Sequence, residues 1–335
     1  MRRSSMIRAG ILGCGDVAGR HAAVMRALPE EIEIAALCDH TAATVQAFAQ
    51  KHAPNAELFT DYRALLAEAE LDLLVICLPP FAHADEVARA AANGIHILIE
   101  KPIALESEHA WRMVEAVEQA GVKSQVGFQF RFGAAVEAFT QLQHEGKTGK
   151  IVLMNARYFA NHLHAAWWRD RAKSGGQVVE QAIHLFDLMA HFMGKPVTVY
   201  SRQANLLHGS VQGYTSEDTS ATIVTFADGG IGVVTATNNA IPMRWIGDYR
   251  VVAERITADF ATANVASFTH TDQVDIPVTR IDIERDSRRE QLLDLLNAIK
   301  TGGETRTPIR AGAEVLDLVL AARRSAEEHR EITLE

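Results

Sequence analysis

The feature that most constrains the fold is a strand, a glycine turn and a helix that follow one another near the start of the chain. Residues 6–12 form an apolar strand pattern, Gly13-Cys14-Gly15-Asp16-Val17-Ala18 follows directly, and a helical pattern covers residues 19–28. In such a turn the first Gly allows the tight bend, the second lets the backbone approach a pyrophosphate, and a small third residue allows close packing. The phosphates bind the free N–H groups of the helix start. We therefore expect a dinucleotide to contact Gly13, Gly15, Asp16 and Val17.

A second strand pattern, over residues 31–38, ends in Asp39. An acidic residue about 20 positions after the Gly turn accepts hydrogen bonds from the ribose hydroxyls of the adenosine. Its charge also repels the 2′-phosphate of NADP, and His40 and Thr41 offer no Lys or Arg to bind that phosphate. An Asp after a strand is also a common turn former, but the order of strand, turn, helix, strand and acid favours the nucleotide interpretation. We expect NAD in preference to NADP.

The tripeptide Glu100-Lys101-Pro102 follows an apolar run, residues 95–99, that is typical of a buried strand. Lys carries protons and donates hydrogen bonds, and its pKa moves on burial. Glu100 supplies a carboxylate to orient the ammonium, and Pro102 restricts Lys101 to an extended or turn backbone. Such a sequence alone is also typical of a surface turn with a solvated ion pair. Beside a dinucleotide motif, it indicates a functional lysine.

Charge and cysteine content exclude several classes of protein. The net charge is −9 and no basic run occurs, which argues against nucleic acid as a partner. Cys14, Cys38 and Cys77 fall on or beside predicted buried strands, as expected of core residues in a reducing compartment and not of a disulfide set or a metal site. No apolar stretch reaches the length of a membrane span, and residues 1–5 lack the apolar segment of a signal peptide. We expect a cytoplasmic protein without a metal or a membrane partner.

The pattern of elements changes about a third of the way along the chain. Strands and helices alternate up to about residue 122, which predicts a doubly wound parallel sheet of the Rossmann type. Long alternating runs then appear, with Asp228-Gly229-Gly230 as a hairpin turn. We predict an α/β protein with an NAD(P)-binding Rossmann domain over residues 1–125 and, over residues 126–335, an α+β domain on a largely antiparallel open sheet, whose closing helices can pack back on the first domain. The second-domain strands are predicted over residues 151–160, 197–206, 219–226 and 231–237, and the helices over 178–193, 288–300 and 311–329.

The helix predicted over residues 178–193 carries three polar residues of interest. Glu180, His184 and Asp187 are four and three positions apart, so they are expected on one face. Two flanking carboxylates favour the protonated form of the imidazole, which suits a general acid/base near neutral pH. A solvated helix pair is the first alternative, but the surrounding apolar residues imply burial. The companions of a zinc site are missing, and a satisfied core histidine stays open as a third alternative.

Four motifs together resemble a known family. Gly13-Cys14-Gly15-Asp16-Val17-Ala18, Pro79-Pro80-Phe81-Ala82-His83, Glu100-Lys101-Pro102, and Gly175-Gly176 through His184-Leu185-Phe186-Asp187 occur in the order seen in the glucose–fructose oxidoreductase, inositol dehydrogenase and rhizopine-catabolism (Gfo/Idh/MocA) family. The resemblance covers the whole chain and implies NAD(P)-dependent oxidation or reduction of a sugar or polyol. It also implies that Lys101 binds the reacting hydroxyl and that His184 is the acid/base. The family usually has Asp where this chain has Glu180, which we expect to orient His184 or to bind a substrate hydroxyl.

The remaining site residues are predicted because they lie close to these motifs in the sequence. Besides the Gly turn and Asp39, the cofactor is expected to contact Leu78, Pro79, His83, Glu100, Lys101 and Gln129. Trp faces and Arg side chains suit a sugar, although a Trp pair can equally hold a loop to the core. The substrate contacts are therefore predicted to be Lys101, Arg131, Tyr158, His162, Trp167, Trp168, Glu180 and His184, of which Lys101, His184 and Glu180 are the catalytic candidates.

The expected function is that of an NAD(P)-dependent dehydrogenase acting on a CH–OH group of a sugar, sugar derivative or polyol. A homodimer or homotetramer through the open sheet is expected, because an exposed apolar sheet face needs a cover. Two alternatives stay open. One is an NAD-dependent glycosidase that oxidises its sugar transiently and shows no net release of NADH. The other is a non-catalytic NAD(P)- and sugar-sensing protein, against which the presence of Lys101 and His184 argues.

Overall fold

The computed structural model describes residues 6–334, so the expectation that residues 1–5 carry no targeting signal lies outside the described residues. The chain divides into two compact units. The first unit comprises the residues up to Gly127 together with Arg288–Ala313, and the second comprises Phe128–Ser287 and the residues from Glu314 onward. Residues 288–313 belong to the first unit although they follow most of the second unit in the sequence. One boundary along the chain therefore does not separate the two units.

Helices and strands alternate in the first unit, and strands dominate the second. Over the described residues the strands are β1 Ile7–Leu12, β2 Ile32–Cys38, β3 Glu57–Phe59, β4 Leu73–Ile76, β5 His96–Ile99, β6 Ser124–Val126, β7 Ile151–Phe159, β8 Pro196–Ala204, β9 Thr219–Phe226, β10 Ile231–Thr237, β11 Ile246–Ala253, β12 Ile256–Phe260, β13 Val265–His270, β14 Val278–Asp282 and β15 Ile332–Thr333. The helices are α1 Asp16–Arg26, α2 Ala42–His52, α3 Tyr62–Glu68, α4 Glu86–Ala92, α5 Ser107–Ala120, α6 Ala134–His144, α7 Ala166–Arg169, α8 Arg171–Ser174, α9 Ile183–Met193, α10 Ser287–Thr301 and α11 Ile309–Glu328.

The first unit is built on a parallel sheet with the strand order β3-β2-β1-β4-β5-β6. Strand β4 is buried along its whole length, as expected for a parallel strand covered on both faces. Leu292, Leu295 and Leu296 of α10 join the core cluster that contains β1. The doubly wound fold predicted from the sequence is confirmed, although the short strands β3 and β6 were not predicted.

The second unit is built on a sheet with the order β14-β13-β12-β11-β7-β10-β9-β8-β15. Its described neighbouring strands are antiparallel except β7 and β10, which run parallel. The predicted hairpin is present: β9 pairs with β10, and the Phe226 N–H donates to the Gly230 carbonyl. Aromatic residues fill the core, with the ring of Phe139 5.1 Å from that of Phe192 and 5.8 Å from that of Phe260. The largely antiparallel sheet is therefore confirmed.

The helix predicted over residues 178–193 consists of two parts. Val178–Ala182 forms a π-helical turn, and α9 begins at Ile183. A π-helical turn accommodates an extra residue, so it rotates the side chains before it relative to those after it, and such turns occur frequently at functional sites. No helix within residues 6–334 is both long enough and apolar enough to span a membrane.

Candidate active site

The glycine turn of the first unit has the shape that a dinucleotide requires. Gly13 has a φ of +89°, and a Cβ atom at this position would lie 2.7 Å from the Cys77 carbonyl oxygen. Only Gly fits, because the end of β1 packs against the residue that follows β4 and because L side chains rarely adopt this backbone conformation. The Gly13 N–H donates to the Cys38 carbonyl at 2.8 Å, which holds the turn against the end of β2.

The second glycine of the turn borders open space. No atom of the described residues lies within 4 Å of the position that a Cβ atom of Gly15 would occupy. Gly15 also precedes α1, whose first N–H groups donate no hydrogen bond to a capping side chain in the part of the chain that the structure describes. An uncapped helix start can bind phosphate through these N–H groups and the helix dipole. Gly15, Asp16 and Val17 therefore fit a pyrophosphate.

Asp39 is held beside this turn by the backbone. Its carboxylate accepts the N–H of Cys14 at 3.0 Å and the N–H of Thr41 at 3.1 Å, and its side chain is 13% exposed. A carboxylate has lone pairs for further hydrogen bonds, so it can also accept from ribose hydroxyls. Burial, followed by the charge of Asp39, raises the pKa of the Cys14 and Cys38 thiols to about 12, so both thiols stay protonated.

Glu100 has a partner that the sequence analysis missed. Its carboxylate is buried, and one oxygen lies 2.8 Å from Nε2 of His21 on α1. Burial alone would raise the pKa of Glu100, but the hydrogen bond from His21 and the nearby charges of Arg288 and Lys101 lower it to about 2. Glu100 is thus a permanently charged group inside the unit, and Lys101 beside it is partly exposed. The sequence signal that could have identified His21 is its position, as a polar residue, within the apolar stripe of α1.

His83 occupies a fixed position after the end of β4. Its ring is fully buried, its Nδ1 lies 2.6 Å from a carboxylate oxygen of Glu86, and the other oxygen of Glu86 accepts the Ala84 N–H at 2.7 Å. Nε2 of His83 is buried without a hydrogen-bond partner among residues 6–334. Leu78 and Pro79, the other predicted cofactor contacts here, are partly exposed. The structure therefore holds His83 rigidly and leaves one ring nitrogen available.

His184 lies in the first turn of α9 with apolar neighbours. Its side chain is 6% exposed, and its ring centroid lies 4.8 Å from that of Phe130 and 6.3 Å from that of Phe128. Gln129, between these two residues, belongs to the second unit, and its Oε1 is buried with no partner in the described part of the chain. Apolar walls around an imidazole limit water access, which suits proton transfer to a bound substrate.

Arg131 forms an ion pair with a buried carboxylate of the second unit. It donates from Nε at 2.9 Å and from Nη2 at 2.5 Å to the carboxylate of Asp187, whose side chain is fully buried. A two-point ion pair of this kind fixes the planar guanidinium. The pair gives both residues an internal role in the second unit, and the contact of Arg131 with substrate stays a prediction.

A narrow polar cavity opens in the second unit, beside the π-helical turn. Its volume is about 10 Å³, and it is lined by Glu180, which lies four residues before His184 in the sequence. Burial, followed by the charge of Glu180, raises the pKa of the neighbouring Tyr158. The lining residues are His164, Trp168, Arg169, Gly176, Gln177, Glu180, Gln181, Tyr214, Ser216 and Glu217.

The two Trp residues of the loop after β7 were considered as substrate contacts or as supports of the loop, and they differ in position. Trp168 lines the cavity, and its ring centroid lies 6.2 Å from that of Trp245, which is 53% exposed. Trp167 packs against Trp168 at 6.3 Å and is not among the residues that line the cavity. His162 is exposed at the rim of this aromatic group, 4.9 Å from His164. Trp168 thus contacts the cavity directly, and Trp167 supports it.

The sequence analysis missed most of the cavity lining. Gln177 and Gln181 flank Glu180 on the same segment, and their four-residue spacing is a signal that could have identified them. Tyr214, Ser216 and Glu217 belong to a distant loop, with no pattern that links it to Glu180. The Ser216 and Thr215 N–H groups both donate to the Arg169 carbonyl, and this backbone contact brings the loop to the cavity. Across residues 6–334, no group of three or more His, Cys, Asp or Glu side chains is arranged to hold a metal ion.

Two family models match the chain. Residues 7–128 match the model described as "Oxidoreductase family, NAD-binding Rossmann fold", and residues 136–258 match that of the GFO/IDH/MocA C-terminal domain. Uncharacterized oxidoreductase YrbE of Bacillus subtilis is 28% identical over 96% of this chain and 95% of its own length. D-glucoside 3-dehydrogenase of Escherichia coli is 27% identical over 58% of this chain and 56% of its length. Inositol 2-dehydrogenase of an Arthrobacter species is 28% identical, with 57% and 56% covered.

Solved structures share the fold over the whole chain. Levoglucosan dehydrogenase in complex with NADH and L-sorbose superposes with a TM-score of 0.91 at 18% identity and covers 99% of this chain and 99% of its own. The WlbA dehydrogenase from Bordetella pertussis in complex with NADH and UDP-GlcNAcA has a TM-score of 0.85 at 24% identity, with 98% and 99% covered. These likenesses confirm the predicted fold class. None of the relatives named here supports the glycosidase or the sensor alternative.

Proposed function

The chain belongs to the Gfo/Idh/MocA family of oxidoreductases, with its NAD-binding Rossmann fold, and on that premise we propose that it oxidises a CH–OH group of a cyclic sugar, sugar derivative or polyol with NAD. The observation that supports the substrate class is the group of polar and aromatic side chains around Glu180, four residues before His184 in the second unit. This group combines carboxyl, amide and imidazole groups with the face of Trp168. Hydroxyl groups pair with such polar atoms, and the apolar face of a sugar ring packs on an indole.

NAD fits the first unit through residues that the structure already holds in place. Gly15, Asp16 and Val17 would hold the pyrophosphate, and Asp39 would hold the adenosine ribose. When bound, NAD supplies the acceptor for the hydride. Asp39 carries a negative charge and the next residues carry no Lys or Arg, which supports NAD over NADP as the preferred cofactor.

In the proposed reaction, Lys101 and His184 act on the substrate hydroxyl. The Lys101 ammonium donates a hydrogen bond to the reacting oxygen and stabilises the negative charge that develops there. His184 removes the hydroxyl proton, with its ring enclosed by Phe128 and Phe130. Glu180 binds a substrate hydroxyl or orients the imidazole, and does not itself transfer the proton.

The printed names of the relatives support a ring hydroxyl as the reacting group. The names include a D-glucoside 3-dehydrogenase, an inositol 2-dehydrogenase and a levoglucosan dehydrogenase. Glucosides, inositols and levoglucosan share a ring that carries secondary hydroxyls. A secondary ring hydroxyl of a sugar or polyol is therefore the group we assign to the proposed reaction.

We further propose that a second copy of this chain covers the outer face of the second unit's sheet. Ile223 on β9 and Ile231 on β10 are 47% and 44% exposed on adjacent strands. Apolar groups exposed on a sheet mark an interaction surface. Light scattering after size exclusion should report a dimer or tetramer, and Ile223→Asp should shift it toward monomer.

We assign the protein to the cytoplasm, where the thiols of Cys14, Cys38 and Cys77 stay reduced.

The test of the proposed activity is a panel of inositols, hexoses and anhydrosugars assayed with NAD and with NADP for the reduced cofactor. We expect at least one member to give NADH continuously. In the same assay, Lys101→Ala should lower kcat by about 100-fold and leave the dissociation constant of NADH nearly unchanged. A panel without net NADH formation would reject the dehydrogenase proposal.

A further inference from the structure

Glu217 caps the π-helical turn from a distant loop. Its side chain is buried, and one oxygen accepts the Val178 N–H at 2.8 Å, at the first residue of the turn. The side chain of Gln177, the residue before the turn, makes no capping hydrogen bond within the described residues. The first N–H groups of a helix need acceptors from outside the helix. Glu217 therefore supplies, from 39 residues away in the sequence, the acceptor that a local cap usually supplies.

The backbone around this contact is shaped to fit the carboxyl group. Gly176 has a φ of +102°, and a Cβ atom at this position would lie 2.3 Å from Oε2 of Glu217. On the other side, the N–H of Ser216 donates to the Arg169 carbonyl at 3.1 Å, and the Ser216 hydroxyl donates to the same carbonyl at 3.0 Å. The loop that carries Glu217 is thus fixed beside the turn, and the turn leaves the space of a missing side chain for it.

The cavity beside the turn has room for one water molecule. Its volume of about 10 Å³ is close to the minimum that a buried water needs. Gln177 and Gln181 line the cavity and are buried. Within residues 6–334, Oε2 of Glu217, both amide atoms of Gln177 and Oε1 of Gln181 are buried without a hydrogen-bond partner. Buried polar atoms are nearly always paired, by the protein or by ordered water.

These atoms match a water molecule better than a larger or a charged ligand. Carboxyl and amide oxygens accept hydrogen bonds from water, and the amide N–H of Gln177 donates to the water oxygen. A buried water typically makes about three such bonds. The volume excludes a sugar, and the guanidinium of Arg169, which also lines the cavity, disfavours a cation.

We propose that Glu217 is a positioning residue that sets the direction of Glu180. It holds the π-helical turn through the Val178 N–H and through one buried water that it shares with Gln177. Glu180 lies within this turn and four residues before His184. Because a π-helical turn rotates the side chains before it relative to those after it, loss of the cap would change how Glu180 stands relative to His184. The effect on catalysis rests on the proposed function, whereas the cap and the water do not.

Kinetics with NAD test the positioning role, and the substrate is the one that reacts best among myo-inositol, D-glucose and levoglucosan. Glu217→Leu removes both the cap and a partner of the water. It should lower kcat/KM at least about tenfold, which is the effect of 1.4 kcal/mol, and leave the dissociation constant of NADH nearly unchanged. Glu217→Gln keeps an oxygen for the Val178 N–H and a polar atom for the water, so it should retain most of the parent's activity.

Glu254→Leu is the matched control for Glu217→Leu. Glu254 also accepts a backbone N–H, from Lys150 at 3.4 Å, and also occupies the place that a Cβ atom of Gly149 would need. It is not among the residues that line the cavity. This variant should therefore leave kcat/KM nearly unchanged, and a loss as large as that in Glu217→Leu would overturn the positioning role.

A double-variant cycle tests whether Glu217 acts through Glu180. Residues that act independently have additive effects, whereas residues that act through each other do not. In a Glu180→Ala background, Glu217→Leu should therefore lower kcat/KM by less than about twofold, compared with about tenfold in the parent. Equal losses in both backgrounds, measured in folded protein, would overturn the positioning role.

Two measurements test the cap and the water without a substrate. A high-resolution crystal structure of the parent should show one water within hydrogen-bond distance of Oε2 of Glu217 and of the Gln177 amide. Hydrogen exchange followed by NMR should show a protected Val178 N–H in the parent and in Glu217→Gln, and faster exchange in Glu217→Leu. A cavity without ordered water, or with a cation in it, would overturn the water site. Equal exchange of Val178 in all three proteins would overturn the cap.

Failure of the inference and failure of the proposed function give different results. If no member of the sugar panel is oxidised, the proposed function fails, and the crystal structure and the exchange rates still decide the cap and the water. If a sugar is oxidised and folded Glu217→Leu keeps the parent's kcat/KM, the positioning role fails and the proposed function stands. If Glu217→Leu does not fold, Gln177→Leu takes its place in the cycle, because it removes a partner of the water and keeps the cap.

Discussion

Two of the buried glutamates, one in each unit, have opposite pKa shifts. Glu100 in the first unit is 6% exposed and Glu217 in the second is 4% exposed. Glu100 receives a hydrogen bond from His21, and its pKa falls to about 2. Glu217 receives a backbone N–H from Val178, and its pKa is raised, chiefly by burial. The same side chain is thus a fixed charge in one unit and an incompletely paired acid in the other.

The difference reflects what each carboxyl group faces. A buried charge with a partner serves as an internal support, since removal of the partner would leave the charge desolvated. Glu100 fits this description and lies next to Lys101, the residue proposed to contact the substrate. A half-paired acid at a small cavity keeps hydrogen-bonding capacity for a water molecule. We infer that a protein partner fixes the carboxyl group in the first unit, and that a buried water completes the contacts of the one in the second unit.

The largest expected effect tests whether the second unit supplies the general acid/base, His184. His184→Ala should lower kcat by roughly 100- to 10,000-fold, the range for a positioned acid/base, and leave NADH affinity nearly unchanged. An ionisation in the pH–rate profile of the parent should disappear in the variant. His191→Ala is the matched control, because it lies on the same helix and its ring contacts Thr140 at 3.0 Å.

A core-histidine role for His184 makes a different prediction. In that case the variant would show a lower melting temperature and a nearly normal kcat in its folded fraction. Measurement of melting and turnover on one preparation therefore decides between the two roles.

The second prediction tests the internal support in the first unit. His21→Leu should lower the free energy of unfolding at pH 7 by about 3–5 kcal/mol, because it leaves the Glu100 carboxylate buried without this partner. A depressed pKa contributes stability that is present above the unfolded pKa and is lost as pH falls toward the folded value. In the parent this loss falls between pH 4.5 and about 2, and the variant should show less of it.

Urea unfolding across that pH range measures both effects, and Glu100→Gln in the His21→Leu background should recover part of the lost stability. If His21→Leu unfolded with the parent's free energy at pH 7, Glu100 would have another sufficient partner and the contrast with Glu217 would fail.

The third prediction concerns the cofactor residue of the first unit. Asp39→Ala should weaken NAD binding by about 10- to 100-fold, the range for a lost hydrogen bond to a charged group, and should reduce the preference for NAD over NADP. Asp39→Asn keeps an acceptor oxygen without the charge, so it should mainly affect the discrimination against NADP. Fluorescence titration with NADH and NADPH measures both, and full retention of the NAD preference in Asp39→Ala would remove Asp39 from the ribose site.

The smallest effect concerns the pH dependence of stability at Glu217. A raised pKa contributes stability that is fully present below the unfolded pKa and is lost as pH rises through the folded value. Glu217→Gln does not titrate, so its stability relative to the parent should increase from pH 4 to pH 8, by about 1 kcal/mol. Thermal melts across this range give the result. A relative stability that decreases with pH would show that Glu217 is favoured as a carboxylate, as Glu100 is.

The sequence predicted a large part of the fold because the relevant signals are local. The alternation of apolar runs with helical patterns predicted the parallel sheet, and the turn at Asp228-Gly229-Gly230 predicted the hairpin of β9 and β10. The Gly turn and Asp39 lie within one βαβ unit, where spacing along the chain sets spacing in space. The short strands β3 and β6 escaped prediction because three residues carry too little periodicity to recognise.

The candidate site likewise contains residues that local sequence motifs predict and contacts that only the structure reveals. Lys101, Glu180 and His184 were identified from sequence because motifs carry them. The break between Val178–Ala182 and α9 was not, since a single π-helical turn shifts the helical periodicity over too few residues to recognise in the sequence. The ion pair of Arg131 with Asp187 also required the structure, because its partners are distant in sequence.

By itself, the sequence determined the two sheet types, the dinucleotide turn and the family of oxidoreductases, and it predicted Asp39 as a cofactor contact. Each depends on residues close together in the chain, whose backbone conformations and periodicity follow from their own chemistry. Only the tertiary structure decided which polar groups are paired and which are not. It placed His21 against Glu100 and brought Glu217 from a distant loop to the start of the π-helical turn. Burial and partners of an ionisable group depend on long-range packing, so identical side chains acquire opposite pKa shifts.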